Sequence, residues 1–210
     1  MTNPELLPSD APPPPRGRVL QRLRRLLRDS CATVSVEFAF ALPILCAMTF
    51  ALYEVTEGVI TYMKVVDVAN TVSDLIGQVL TAQNGVGNND FDNYYIAGQL
   101  VLAPNNGNLK LAIASVYYDS TGANPVVKWH VERGGAAAIS NATSFVSGLG
   151  TPYGSTIVVQ ATYTYTSLLN YFITTPIVIT SEIAGQPRNY LPATGYQQGI
   201  PCPAPSQTCS

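Results

Sequence analysis

Residues 34–53 read VSVEFAFALPILCAMTFALY, and this apolar stretch decides the fold. Its only clearly polar residues are Ser35, Glu37 and Thr49. Twenty helical residues at about 1.5 Å each cover about 30 Å, which is the thickness of the hydrocarbon core of a bilayer. The stretch therefore predicts a membrane-spanning helix.

Two other interpretations of this stretch are a buried core helix and a cleaved secretory signal peptide. Six arginines lie immediately before it, between residues 16 and 28, which disfavours a core helix. No A-x-A-like cleavage site follows it, and the helical pattern continues beyond it, which disfavours a signal peptide. Arginine-rich flanks stay in the cytoplasm, so we expect a cytoplasmic N-terminus and a chain that lies outside the inner membrane beyond about residue 60.

Charge is distributed unevenly along the chain. Residues 1–29 hold six arginines and three acids, a net charge of +3, whereas residues 30–210 hold five bases and ten acids, a net charge of −5. Only 11% of the 210 residues are charged, which argues against a nucleic-acid-binding protein. The single histidine, the widely spread cysteines and the absence of a Walker loop, a GxSxG motif or paired carboxylates lead us to expect no enzyme, no cofactor and no metal site.

The helical pattern continues past the apolar stretch. Apolar residues recur at steps of three and four, which is typical of one helical stripe. We therefore expect one helix from about Val34 to about Leu80, about 70 Å long, with a kink or local unwinding at Pro43. The stripe that we expect to cover a sheet consists of Val55, Val59, Tyr62, Val66, Ala69, Val72, Ile76 and Val79.

The rest of the chain predicts a short helix and four strands. Asp90 begins a helix that runs to about Leu102, and strands are expected at 109–118, 126–132, 156–166 and 177–184. Alternation places Val127, Trp129 and Val131 on one face of the second strand. The fold class is therefore α+β, in which a four-stranded antiparallel sheet with one apolar face packs against the amphipathic half of the long helix.

These patterns divide the chain into four segments. Residues 1–29 form a disordered, proline-rich and arginine-rich cytoplasmic segment, and residues 30–80 form the long helix, membrane-spanning in its first half. Residues 81–184 form an extracytoplasmic α+β domain, and residues 185–210 form a proline-rich tail. Cys202 and Cys209 lie in that tail, where export permits a disulfide, and this pairing suits the topology because Cys31 and Cys46 lie at or inside the membrane. Two free thiols are the alternative.

Three groups of residues resemble the TadE-like family of the Tad (Flp) pilus system, whose members are type IV pilin-like proteins. The first group is ATVSVEF at 32–38 followed by ALP at 41–43, and the second is YMKVVDVANTVSDLIGQ at 62–78. The third comprises Trp129, the Tyr-Thr-Tyr run at 163–165, and the Pro-Arg pair at 187–188. The resemblance covers about residues 30–190.

The resemblance implies a role for Glu37. In type IV pilins this glutamate is the fifth residue after cleavage by prepilin peptidase, and it meets the new amino terminus of a neighbouring subunit. Counting back from Glu37 places the cleaved bond after Ala32 and the mature first residue at Thr33, although family members usually have glycine before the bond. The alternative is a glutamate near the membrane surface that snorkels to water, because a carboxylate costs up to about 3 kcal/mol at mid-bilayer and less near its edge.

The expected function is that of a minor pilin or pseudopilin, a structural or assembly subunit of a Tad pilus that serves surface attachment. The resemblance implies other Tad pilus subunits and assembly proteins, prepilin peptidase and inner-membrane lipid as partners, and no nucleic acid. The alternative is a membrane-tethered periplasmic binding module outside a pilus.

Overall fold

The structure, a computed structural model, describes residues 30–78, 88–105, 107–167 and 173–188. The predicted cytoplasmic segment and the tail beyond residue 188, including Cys202 and Cys209, lie outside the described residues. The elements, in chain order, are α1 (Ser30–Gly77), α2 (Asn88–Leu102), β1 (Leu109–Tyr118), β2 (Pro125–Arg133), α3 (Ala142–Phe145), β3 (Ser155–Tyr165) and β4 (Ile177–Gly185). The chain divides into two compact units, one that ends at Leu52 and one that begins at Tyr53.

The first unit contains the N-terminal part of α1. From Val34 onwards its large apolar side chains are exposed, and its length and composition are those of a helix that could cross a membrane. The helix continues through Pro43 without interruption, so the predicted unwinding does not occur. Thr49 donates its hydroxyl hydrogen to the carbonyl oxygen of Leu45 (2.8 Å), which satisfies that polar group within the apolar run.

The second unit contains a four-stranded antiparallel sheet with the order β2-β1-β3-β4. Its strands begin and end within one residue of the predicted bounds, because turn-forming residues flank each alternating run. The helix α2 begins two residues before Asp90 and ends at Leu102, as predicted. The long helix begins at Ser30 and ends at Gly77, three residues before its predicted end.

The C-terminal part of α1 covers one face of the sheet, as predicted, and the predicted stripe faces the strands only from Ala69 onwards. Val65, Val68, Val72 and Ile76 are fully buried in a core that includes Trp129 of β2 and Ile157, Val159, Ala161 and Tyr163 of β3. Val55, Val59 and Tyr62 belong to the predicted stripe and are exposed. Before Ala69, the buried residues Thr61, Val65 and Val68 lie about one residue, or 100°, around the helix from the predicted stripe and have the same spacing.

The other face of the sheet also carries a buried cluster, which the sequence analysis did not anticipate. Residues of the β2–β3 connection, including Ile139, Ala142 and Val146, pack there against Ala114 and Val116 of β1. Val127 packs with this cluster and not with Trp129 and Val131. The cause is a register shift between Ser115 and Val116, where Trp129 pairs with Ser115 but Val127 pairs with Val116, so that Lys128 is the extra residue of a bulge.

Candidate functional site

The first predicted site lies in the N-terminal part of α1. Glu37 is exposed there, and it is the only charged residue between Val34 and Tyr53. Its neighbours Val36 and Phe38 are exposed as well. Ala32 and Thr33, which flank the expected cleavage bond, lie within the first turn of the helix. The structure thus places the three residues near one end of the helix.

The second unit holds a cleft of about 730 Å³. Its walls are the beginning of this unit's part of α1, the turn after α2, and the end of β3. Lys64 donates a hydrogen bond from Nζ to the carbonyl oxygen of Ala103 (2.7 Å), which ties α1 to the turn after α2. Among the described residues that line the cleft, the charged ones are Glu57 and Lys64, and the others include uncharged polar and aromatic groups. Those groups come from Tyr53, Thr61, Asn105, Asn108, Tyr163, Tyr165, Thr166 and Ser167.

A buried glutamate, Glu54, lies directly beside this cleft in the chain. Its side chain is only 1% exposed, and its Oε2 accepts a hydrogen bond from the backbone N–H of Ile173 (3.0 Å). The hydroxyl of Tyr165 donates to the Glu54 carbonyl oxygen at a longer distance, 3.5 Å. Glu54 therefore fixes the start of the segment that leads into β4 to the helix.

The two tyrosines at the end of β3 are held in their neutral form. Burial raises the pKa of Tyr165, and the negative charge of Glu57 raises the same pKa further, while a hydrogen bond from Ser167 lowers it. Burial is also the main cause of the raised pKa of Tyr163. Both phenols therefore remain hydrogen-bond donors throughout the neutral pH range.

The C-terminal end of α1 is fastened to the residues after β4. The backbone N–H of Arg188 donates to the carbonyl oxygen of Gly77 (2.8 Å), and its guanidinium pairs with Asp74 (3.1 Å). β4 also approaches α1 closely at Gly185, where an added Cβ atom would displace the Ser73 hydroxyl.

These contacts give a structural role to some of the residues in the three groups that resemble the TadE-like family. Asp74 of the second group pairs with Arg188 of the third, and Val65 and Val72 of the second group share one core with Trp129 of the third. These positions hold a helix on a sheet. The aromatic residues Tyr117, Trp129, Tyr163 and Tyr165 are buried.

The remaining chemistry-bearing side chains lie apart from one another. His130 is half-exposed beside Glu132, with Nδ1 2.6 Å from Oε1, as expected for a surface histidine. Cys46 is exposed with a free thiol. Within residues 30–78, 88–105, 107–167 and 173–188, no group of three or more His, Cys, Asp or Glu side chains is arranged to hold a metal ion.

Sequence reasoning overlooked Glu54, and one signal was available. Glu54 directly follows the apolar run and precedes Gly58 and Thr61 by four and seven residues, which places all three on the face that continues to Val65.

Comparisons of the chain with protein-family models, with curated proteins and with solved structures found no match in any of the three.

Proposed function

We propose that this chain is a membrane-anchored assembly subunit, a TadE-like minor pilin or pseudopilin of a Tad pilus that serves surface attachment. In this proposal it crosses the bacterial inner membrane once, with its N-terminus in the cytoplasm and its sheet domain in the periplasm. Its partners are inner-membrane lipid, prepilin peptidase and other Tad pilus subunits and assembly proteins. Its role is structural rather than catalytic, and incorporation into the fibre is one way of performing it.

The observation that carries the proposal is the uneven environment of α1. One helix of 48 residues exposes apolar side chains in its first part and buries an apolar stripe against an antiparallel sheet in its second. A helix that exposes apolar residues on all faces is suited to lipid or to a bundle of like helices. The C-terminal part of the same helix packs on the sheet through its buried stripe, as an anchored subunit requires.

Glu37 supplies the chemistry of assembly in this proposal. A carboxylate in an apolar environment is tolerated where water or an opposite charge compensates it. Cleavage after Ala32 would free the amino group of Thr33, and the ammonium group of an adjacent subunit would then pair with Glu37. Opposite charges attract far more strongly in a low-dielectric environment than in water, so this pair would set the axial register between subunits.

The test is a charge-removal series in the native host, read as pilus assembly. Glu37→Gln keeps the side-chain shape and removes the charge, so we expect normal membrane insertion with loss of assembly. Glu37→Asp should assemble partly, because its carboxylate reaches one methylene less far. Glu57→Gln is the matched control, since it removes a carboxylate from the same helix within the folded domain, and it should assemble normally.

The N-terminal sequence of the protein purified from its host tests the partner of Glu37. We expect a mature chain that begins at Thr33. Wild-type assembly by Glu37→Gln, or a mature chain that retains Met1, would overturn the ion pair and favour a glutamate that only snorkels to water.

A second candidate function is a membrane-tethered periplasmic binding module, and the cleft of about 730 Å³ is the observation that favours it. Ligand pockets have volumes of about 300–1,000 Å³. An intact N-terminus together with saturable binding of a small molecule that protects Tyr53 from chemical modification would favour the binding module over the pilin.

A further inference from the structure

An apolar stripe of α1 in the second unit has no partner among the described residues. It consists of Val55, Val59, Tyr62 and Val66. The first three are 58%, 52% and 54% exposed, and Val66 is partly exposed. The sequence pattern predicts that this stripe covers the sheet together with Ala69, Val72 and Ile76, but before Ala69 the neighbouring residues Val65 and Val68 cover it instead. The exposed stripe is therefore available for another contact.

The exposed stripe carries no charge. Glu57 and Lys64 lie on the cleft side of the helix, and Asp67 lies on the outer side. The residues that flank the stripe are Thr56 and Met63 on one side and Gly58 on the other, and Met63 is itself half-exposed. A second helix could approach this stripe without burying an ionised group.

The spacing of the stripe is that of a helix-pairing seam. Steps of four, three and four residues join Val55, Val59, Tyr62 and Val66, which is the a/d spacing of a heptad repeat. A bilayer core covers about 20 helical residues, so a span that begins at Val34 ends near Tyr53 and leaves these four residues beyond the lipid. The same spacing also runs backwards through apolar residues at Leu52, Met48, Leu45, Ala41, Phe38 and Val34.

We propose that the exposed stripe packs against the same stripe of a second copy of this chain, in a parallel pair. Copies inserted in one membrane with the same topology present their helices in parallel. Identical sequences in parallel place position a opposite a and position d opposite d, so every apolar residue of one stripe meets an apolar residue of the other. The absence of charge within the stripe means that this self-pairing brings no like charges together.

The inference does not rest on the pilus proposal, because it requires only a membrane-inserted helix and the exposed stripe. A subunit that never enters a fibre would still form the pair.

A cysteine scan of the full-length chain in native membranes tests the pair. Cys31, Cys46, Cys202 and Cys209 are replaced by serine, and single cysteines are introduced at each position from 55 to 67. Oxidative cross-linking should give a dimer of the chain with maxima at 55, 59, 62 and 66 and minima at 57, 60, 64 and 67. Cross-linking without this period, or absent from all positions, would overturn the proposal.

Two differently tagged copies expressed together identify the partner. The cross-linked product should contain both tags and have the mass of two chains. A product that contains one tag and a different protein would show that the stripe serves another partner and would refute self-pairing.

Matched variants provide an independent measurement. Val59→Arg places a charge inside the stripe and should lower the dimer fraction in mild detergent at least about tenfold, whereas Asp67→Arg, on another face of the same helix, should leave it unchanged. Both residues are exposed, so the fluorescence of Trp129 should remain native in both variants. An unchanged dimer fraction in a natively folded Val59→Arg protein contradicts the proposal.

Discussion

The two parts of α1 contain similar apolar residues in opposite surroundings. Before Tyr53, the large apolar side chains from Val34 to Leu52 are exposed, while after it Val65, Val68, Val72 and Ile76 are completely buried. Apolar content alone therefore does not tell what a helix segment packs against. Polar residues at regular intervals distinguish the second part of α1 from the first, because a helix with one side in water carries polar residues on that side.

Two glutamates show the same contrast: Glu37 lies within the apolar run, and Glu54 directly follows it. Glu37 is exposed on the helix, and in the described part of the chain it forms no ion pair. Glu54 is buried, and its carboxylate accepts a backbone hydrogen bond from Ile173. A carboxylate that the fold already satisfies has a structural role, whereas one that the fold leaves exposed in an apolar region is available for an external partner.

The largest effect that we expect comes from placing a charge in the buried stripe. Val72→Asp puts an unpaired carboxylate where no part of the side chain reaches solvent, and we expect it to destabilise the second unit by about 4 kcal/mol or more. The measurement is urea unfolding of the full chain in non-ionic detergent. Trp129 is the only tryptophan and is buried in the same core, so its fluorescence reports this unit.

The matched control is Ile96→Asp, which puts the same charge on a half-exposed position of α2 and should change the free energy of unfolding by less than about 1 kcal/mol. Equal effects of the two substitutions would contradict the division of helix faces described above.

Leu45→Asp, in the first part of α1, should leave the unfolding of the second unit unchanged and reduce membrane insertion.

An intermediate effect is expected at Glu54. Glu54→Ala removes the acceptor of the Ile173 N–H and leaves that group without its partner, which costs about 1–3 kcal/mol. Glu57→Ala, a partly exposed carboxylate one turn away, should cost less than about 0.5 kcal/mol. The same urea titration distinguishes the two, and a loss at Glu57 as large as that at Glu54 would contradict the structural role assigned to Glu54.

Sequence patterns predicted the elements of this fold better than their faces. Turn residues and alternation located all four strands, since both signals are local. The buried face of α1 was predicted correctly at Ala69, Val72 and Ile76. It was predicted wrongly before them, because Val55-Val59-Tyr62 and Thr61-Val65-Val68 are neighbouring stripes with the same spacing. The choice between them depends on which one fits the sheet, and that is a tertiary contact. Val127 was misplaced because a bulge at Lys128 reverses the alternation.

The candidate site was predictable only where it depends on the chain's own composition. Glu37 stands out as a lone charge in an apolar run, and no fold is needed to notice it. Glu54 becomes distinctive only when Ile173, more than one hundred residues later, donates a hydrogen bond to it. The link between Asp74 and Arg188 likewise joins residues 114 positions apart.

The smallest effect on the free energy of unfolding is expected from removing the ion pair at the C-terminal end of α1. Asp74 and Arg188 form an ion pair at 3.1 Å, with side chains 68% and 61% exposed, so water and salt screen their attraction. A double-mutant cycle of Asp74→Asn and Arg188→Gln should give a coupling energy of about 0.2–1 kcal/mol that decreases as salt is added. The backbone hydrogen bond from Arg188 to Gly77 is retained in both variants, so the fastening of β4 to the helix end should persist. A coupling energy above about 2 kcal/mol, or one insensitive to salt, would mean that this end of α1 is shielded from solvent and depends on the ion pair.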